Sequence, residues 1–277
     1  MTNSIPMQGR LERITRKWWF YGLFVLMQFT IPPYASKGYK IEDWGNVIQH
    51  ALGNAIVYKY SEIYPIFQII AILFLIGILI FRNKLARIFS IYVAISYVLF
   101  TIGQSIAVTD KYGVSLCTIN FVMFLIVAGF WAWEAVVLKN DYTFRKLPIW
   151  RYWVVPLAVL AFWAPSGRGG RPDFNPVHLI TSGSGLAFCL MTPVYVGLLT
   201  LSWPRVNLPA MRVTSLVGLI IGLYNIYANF GINPGRHWWN GILHIPLLVI
   251  SLYGLILSLK RPKVEKQADE NTESGKG

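Results

Sequence analysis

The stretch IYPIFQIIAILFLIGILIF, Ile63–Phe81, holds no charged residue and a single amide, Gln68. A hydrocarbon layer about 30 Å thick is crossed by roughly 20 apolar residues of helix. Seven further stretches meet that requirement or come near it: Trp18–Ala35, Ile88–Val108, Leu116–Leu138, Tyr152–Pro165, Leu179–Trp203, Val213–Ile232 and Trp238–Leu259. Tyr152–Pro165 is short and borders a Gly/Pro-rich loop. Composition agrees. The chain is 55% hydrophobic and 13% charged, about half the charged share of a soluble domain, with mean hydropathy +0.49. The expected fold is an all-α polytopic membrane protein of about eight transmembrane helices. Trp18–Ala35 lacks a small-residue cleavage site and contains Gln28 and two prolines, so it is expected to stay as a helix.

The net charge of +13 raises the question of nucleic acid, and its distribution answers it. With eight spans and the N-terminus inside, 18 of the 25 Lys and Arg fall on the inner side. Each inner connection is basic, as the positive-inside rule requires. The charge therefore reads as orientation and attraction to anionic headgroups, not as a nucleic-acid surface. Both termini are expected in the cytoplasm, with the chain in the cell (cytoplasmic) membrane. Residues 1–17 form the N-terminal segment, and 260–277 a polar, disordered tail.

Landmarks repeat along the chain. Lys17-Trp18-Trp19 matches Arg151-Tyr152-Trp153, and DWGNV at Asp43 matches DFNPV at Asp173. Pro65-Ile66-Phe67 matches Pro193-Val194-Tyr195, and Arg87-Ile88-x-Ser90 matches Arg212-Val213-x-Ser215. The last offset pairs Gln104 with Asn229. These matches divide the chain into two four-helix repeats, 18–138 and 152–259, joined by a cytoplasmic connection, 139–151. Four helices is an even number, so the repeats are parallel, with a pseudo-two-fold axis along the membrane normal.

The candidate chemistry gathers on the outer side, which receives all four histidines, His50, His178, His237 and His244. His237 and His244 are seven residues apart, about 10 Å along a helix, too far to share one zinc. No pattern calls for a resident metal or another cofactor. SGRGGRPDFNP, Ser166–Pro176, joins flexible glycines to Arg168 and Arg171 beside Asp173, a composition suited to a phosphate or carboxylate. TSGSG, Thr181–Gly185, lacks the order of a nucleophile elbow and reads as small residues that let helices approach. Gln28, Gln68, Gln104, Asn120, Asn225, Asn229 and His244 interrupt apolar runs and are expected to face the bundle. Glu134 lies near Lys139, so snorkelling or a local pair is expected. Tryptophans at span ends, Trp131 and Trp239 among them, read as an interfacial belt.

The binding candidates are therefore Arg168, Arg171, Asp173, His178, Gln104, Asn229, Arg236, His237 and His244. No catalytic residue is assigned. Together they suggest an outward-opening cavity between the repeats that binds or transports a small polar-headed molecule or lipid, with anionic heads included. Two alternatives stay open: a membrane-embedded enzyme using Asp173, His178 or His237 as acid or base, and an accessory subunit of a membrane complex.

Overall fold

An N-terminal helix, α1 (Ser4–Thr15), leads into the first apolar helix, α2 (Trp18–Thr30). α2 stops where Ile31 turns extended, because the Pro32 ring disfavours a helical residue before it. The chain then forms β1 (Tyr34–Ala35), α3 (Trp44–Gly53), a 3-10 stretch (Ile56–Ile63) and α4 (Tyr64–Phe81). Pro65 sits in the first turn of α4, where its missing N–H costs nothing. α5 (Ala86–Ser105) is followed by the hairpin β2 (Ile106–Thr109) and β3 (Gly113–Leu116), then α6 (Thr118–Val137). β3 pairs antiparallel with both β2 and β1, so a small sheet ties this end together. Next come α7 (Val154–Trp163), α8 (His178–Thr181), α9 (Phe188–Ser202), α10 (Leu208–Ile226), a π turn (Tyr227–Ile232) and α11 (Pro234–Leu259). The computed structural model describes residues 4–143, 145–232 and 234–260; the expected tail lies, from 261, outside them.

Among the described residues, five helical stretches are long and apolar enough to cross a membrane: Ile56–Lys84, Ala86–Ser105, Thr118–Val137, Leu208–Ile232 and His237–Leu259. A sixth is obtained if α9 and the bent segment before it count as one span. α2, at 13 residues, and the apolar helix Ile149–Trp163 are shorter. The protein is thus an all-α integral membrane protein with several spans. Arg212 donates to Thr15 and to the Ser258 carbonyl, so both ends of the described chain meet at one end of the bundle, here the proximal end. The sheet, α3 and α8 lie at the distal end.

The stretch expected as one helix, Leu179–Trp203, is broken. His178–Leu186 and Phe188–Ser202 meet at 92°. Gly183–Leu186 is a 3-10 turn and not a stretch of continuous helix, though its glycines do let it approach α4 closely. A break inside an apolar bundle strands backbone groups, and each must find a partner. Two glutamines from other helices provide them. Gln68, fully buried on α4, accepts from Gly185 N–H at 2.8 Å and Ser184 Oγ at 2.9 Å, and donates to the Phe162 carbonyl at 3.2 Å. Gln104, on α5, accepts from Phe188 N–H at 2.8 Å, at the start of α9. Gly185 must be glycine, since a Cβ would lie 2.9 Å from the Phe67 backbone.

Below the break, rings fill the core between α5, α6, α9 and α10. Tyr97 bonds Thr192 at 3.0 Å and Trp131 Nε1 donates to Thr214 at 3.0 Å. Phe124 stacks on Phe188 with centroids 4.1 Å apart. Trp131 is therefore a core residue and not part of an interfacial belt, and Trp239 is also buried. α10 and α11 pack closely at Gly222, where a Cβ would meet the Leu248 backbone at 3.0 Å.

The proximal end is clamped by polar groups. Arg151, buried, donates to the Thr200 and Trp203 carbonyls and closes the C-terminus of α9. Glu134 neither snorkels nor forms a salt bridge with Lys139. It is fully buried and accepts from Asn140 N–H and Asn207 Nδ2, both at 2.7 Å. Asn207 also caps α10 and accepts from Gln8 of α1 at 3.2 Å. Asp141 accepts from Thr143 N–H at 2.9 Å, Asn83 at 2.7 Å and Arg205 at 2.9 Å. Hydrogen bonds from Thr143 and Asn83, with the Arg205 charge, hold its carboxyl below the usual range.

Gln68→Leu strands the Gly185 N–H and should destabilise by on the order of 1–3 kcal/mol, while Gln28→Leu removes a bond within its own helix to Phe24 and a weak one to Met123 Sδ at 3.4 Å, leaves no backbone group stranded, and should cost less. Unfolding in detergent compares them, and equal losses would contradict the bridging role of Gln68. Because the folded pKa of Asp141 is depressed, its contribution is present above the ordinary carboxylate value of about 3.9 and is lost as pH falls through the folded value. The thermal gap between wild type and Asp141→Asn should therefore narrow in acid and be widest near neutrality.

Candidate functional site

The break in front of α9 leaves room above it. A cavity of about 840 Å³ lies there, walled by α4, α5 and α6 on one side, α10 and α11 on another, and the loop between α7 and α8. The loop is pinned by aromatics. Phe174 packs edge-on between Trp163, at 5.8 Å, and Trp239, at 5.5 Å. Trp239 Nε1 donates to the Pro165 carbonyl at 2.7 Å. This places Asp173 and His178 at the cavity wall. They bond at 2.9 Å through His178 Nε2 and Asp173 Oδ2, and Asn175 N–H donates to the same carboxylate at 3.1 Å. The His178 hydrogen bond, and then that of Asn175, hold the Asp173 carboxyl below its ordinary value.

A ladder of amides runs from α10 to α11. Asn225 donates to the Ile221 carbonyl at 2.9 Å, and Asn229 to the Asn225 carbonyl at 2.8 Å. Asn240 donates to Asn229 Oδ1 at 2.9 Å. His244 Nδ1 lies 2.6 Å from the Asn240 carbonyl; a carbonyl only accepts, so Nδ1 carries the proton there. In neutral His244 that leaves Nε2 as an acceptor. Asn229 sits in the π turn, buried where its neighbours Ala228 and Phe230 are exposed. A π turn of this kind re-aims side chains and is frequent at functional sites.

Of the candidates read from the sequence, Gln104, Asp173, His178 and His244 line the cavity. Asn229 stands behind it and holds Asn240. Arg171 and His237 are exposed and are not lining residues. The side chains of Arg168 and Arg236 lie outside the described residues. Three contributors did not figure among those candidates: Asn120, Asn225 and Asn240. A signal for the last two was present. Asn225 with Asn229, and Asn240 with His244, are each four residues apart and so share a helix face. His50 is occupied elsewhere, 3.0 Å from Thr109 and edge-on to Tyr112. Among the described residues no group of three or more His, Cys, Asp or Glu is arranged to hold a metal ion.

No protein-family model, curated protein sequence or solved structure matches the chain. The chemistry of the cavity is accordingly that of its own residues: neutral amides deep inside and one carboxylate–imidazole pair at the wall.

That pair gives a direct test. The Asp173 carboxyl should titrate below the value of a free aspartate, about 3.9, and His178→Ala should raise its midpoint. Isotope-edited NMR of the side chain reads both. An unchanged midpoint in His178→Ala would mean that the two groups do not meet in the membrane-embedded protein.

Proposed function

We propose that the protein is a cell-membrane protein of eight spans that binds or transports a small polar-headed molecule through a cavity opening outward between two four-helix halves. One observation carries the reading: a large cavity, apolar for the most part with several polar groups on its wall, sits in the bundle above a broken helix. Apolar clefts with a few placed polar groups are the ordinary form of small-molecule sites, and broken helices line the substrate sites of many transporters.

The finer topology rests on three supports. Both described ends meet at the proximal end, so an even number of crossings is needed, and counting the short helices α2 and α7 gives eight. Arg82, Lys84, Arg87, Lys139, Arg151, Arg205 and Arg212 sit in the proximal connections and helix starts, so the positive-inside rule turns that end to the cytoplasm. α5 packs along α6 as α10 packs along α11, and Gln104 and Asn229 fall at corresponding distal ends, in keeping with two parallel halves.

A second reading, acid–base catalysis at the cavity wall, is favoured by the Asp173–His178 bond alone. A carboxylate that holds an imidazole in one orientation is the arrangement a general base requires.

Single cysteines at Thr181 and Asn240, both cavity-lining, should react with a membrane-impermeant thiol reagent added to intact cells. A cysteine at Thr143, in the proximal loop, should react only after permeabilisation. Labelling of Thr143→Cys in intact cells would overturn the orientation, and silence at both cavity positions would overturn the outward opening. Should the catalytic reading hold, His178→Gln would abolish turnover of a bound ligand while leaving its affinity nearly unchanged.

A further inference from the structure

The cavity's polar groups are sorted by kind. On the α10/α11 side the protein itself uses most of the donors. Both Asn225 N–H groups are engaged, by the Ile221 carbonyl and by Cys189 Sγ at 3.6 Å. Asn240 spends an N–H on Asn229, and His244 spends its Nδ1–H on the Asn240 carbonyl. What remains toward the cavity is mainly a set of acceptors, Asn225 Oδ1, Asn240 Oδ1 and His244 Nε2, with one Asn240 N–H beside them. His244 lines the cavity, and its Nε2 bonds to no described residue, so it is open to a ligand or water there.

On the α5/α6 side the balance reverses. Gln104 gives its oxygen to Phe188 N–H and keeps its amide N–H groups. The side chain of Asn120 bonds to no described residue and offers both donor and acceptor. Between these sides the cavity holds little charge. Among the described lining residues the only carboxylate is Asp173, and it already accepts a hydrogen bond from His178. Among those residues no Lys or Arg meets an anion, and a cation would have to compete with His178 for Asp173. A hydroxyl group suits it better, because each hydroxyl donates to one side and accepts from the other. Tyr58, on the cavity rim, presents a ring on which the C–H face of a saccharide can pack.

We infer that the cavity recognises an uncharged polyhydroxylated group, a polyol or neutral sugar, either as a free solute or as the head of a lipid. The inference rests on the cavity being the ligand site. It names the class of ligand that site takes, and it sets aside the anionic heads that the arginine-rich loop suggests.

The test is calorimetric titration of the full chain in lipid nanodiscs with myo-inositol, glucose, glucuronate, glucosamine and monomeric octyl glucoside. Neutral probes should bind, and glucuronate and glucosamine should bind at least about tenfold more weakly, a change of about 1.4 kcal/mol. Asn120→Leu breaks no bond within the protein and should weaken the neutral probes by a similar factor, with His244→Phe as a second variant. Binding of octyl glucoside without glucose or inositol would assign the site to a sugar-headed lipid, and equal binding would assign it to the free solute; both support the inference. Preference for glucuronate or glucosamine would overturn it while leaving the cavity as the site. Neutral binding unaffected by either variant would overturn it by locating the sugar elsewhere. If no probe binds although Thr181→Cys and Asn240→Cys label from outside, the polyol assignment is wrong. If those cysteines are also silent, the reading of the cavity falls with it.

Discussion

A polypeptide that interrupts a helix inside hydrocarbon must supply partners for the backbone groups it exposes, and the architecture here follows from how that is done. The break before α9 is met by Gln68 and Gln104, which belong to α4 and α5. Glutamine suits the task. It is long enough to reach across a helix interface, it donates and accepts with one group, and it carries no charge to desolvate. The consequence is spatial as well as energetic. Because α9 starts within the bundle instead of at its surface, the volume it would have filled above Phe188 becomes the cavity. The bonds that make the break tolerable therefore also create the cavity.

The proximal end solves the same problem with charge. Arg151 and Arg212 place guanidinium groups on helix-terminal carbonyls, and Glu134 accepts from the turn that follows α6. Cations at helix C-termini also face the negative end of the helix dipole. These contacts join α1, α6, α9, α10 and α11 at one level. Between this clamp and the cavity lies the aromatic layer of Tyr97, Phe124, Trp131 and Phe188. The rings close the cavity on its proximal side, so the clamp lies apart from it. Passage through the bundle would require the layer to part.

The helices were legible because a run without charge has one economical fate in a chain of this composition, and prolines at 32 and 65 marked two of their ends. Concentration of histidines and of Asp173 toward one side was legible from alternation of the basic loops. Convergence was not. It depends on the α7–α8 loop, whose course is set by Phe174 meeting two tryptophans distant in sequence, one of them Trp239. Small residues at Gly183–Gly185 suggested a continuous packed helix because glycine and serine serve close packing and chain reversal equally well. Gln68 on α4 held the deciding information, but a single amide in an apolar run does not say which backbone it serves. Trp131 and Glu134 misled for a related reason: an amphipathic group near a span end can reach the interface or turn inward, and only the neighbours decide.

Under the proposed pairing of the halves, the departures from symmetry explain why there is one cavity and not two. Pro65 corresponds to Pro193, which places Gln68 against Val196. Val196 is buried and apolar, and the corresponding segment of the first half is only kinked, at Tyr60, within a 3-10 stretch that continues into α4. Gln104 reaches out of its own half to the start of α9, whereas its counterpart Asn229 bonds within its own half, to Asn225 and Asn240. The first half thus lends two side chains to the sharp bend of the second. A scaffold with two similar halves acquires a single polar cavity when one half kinks its helix mildly and the other turns it through a right angle.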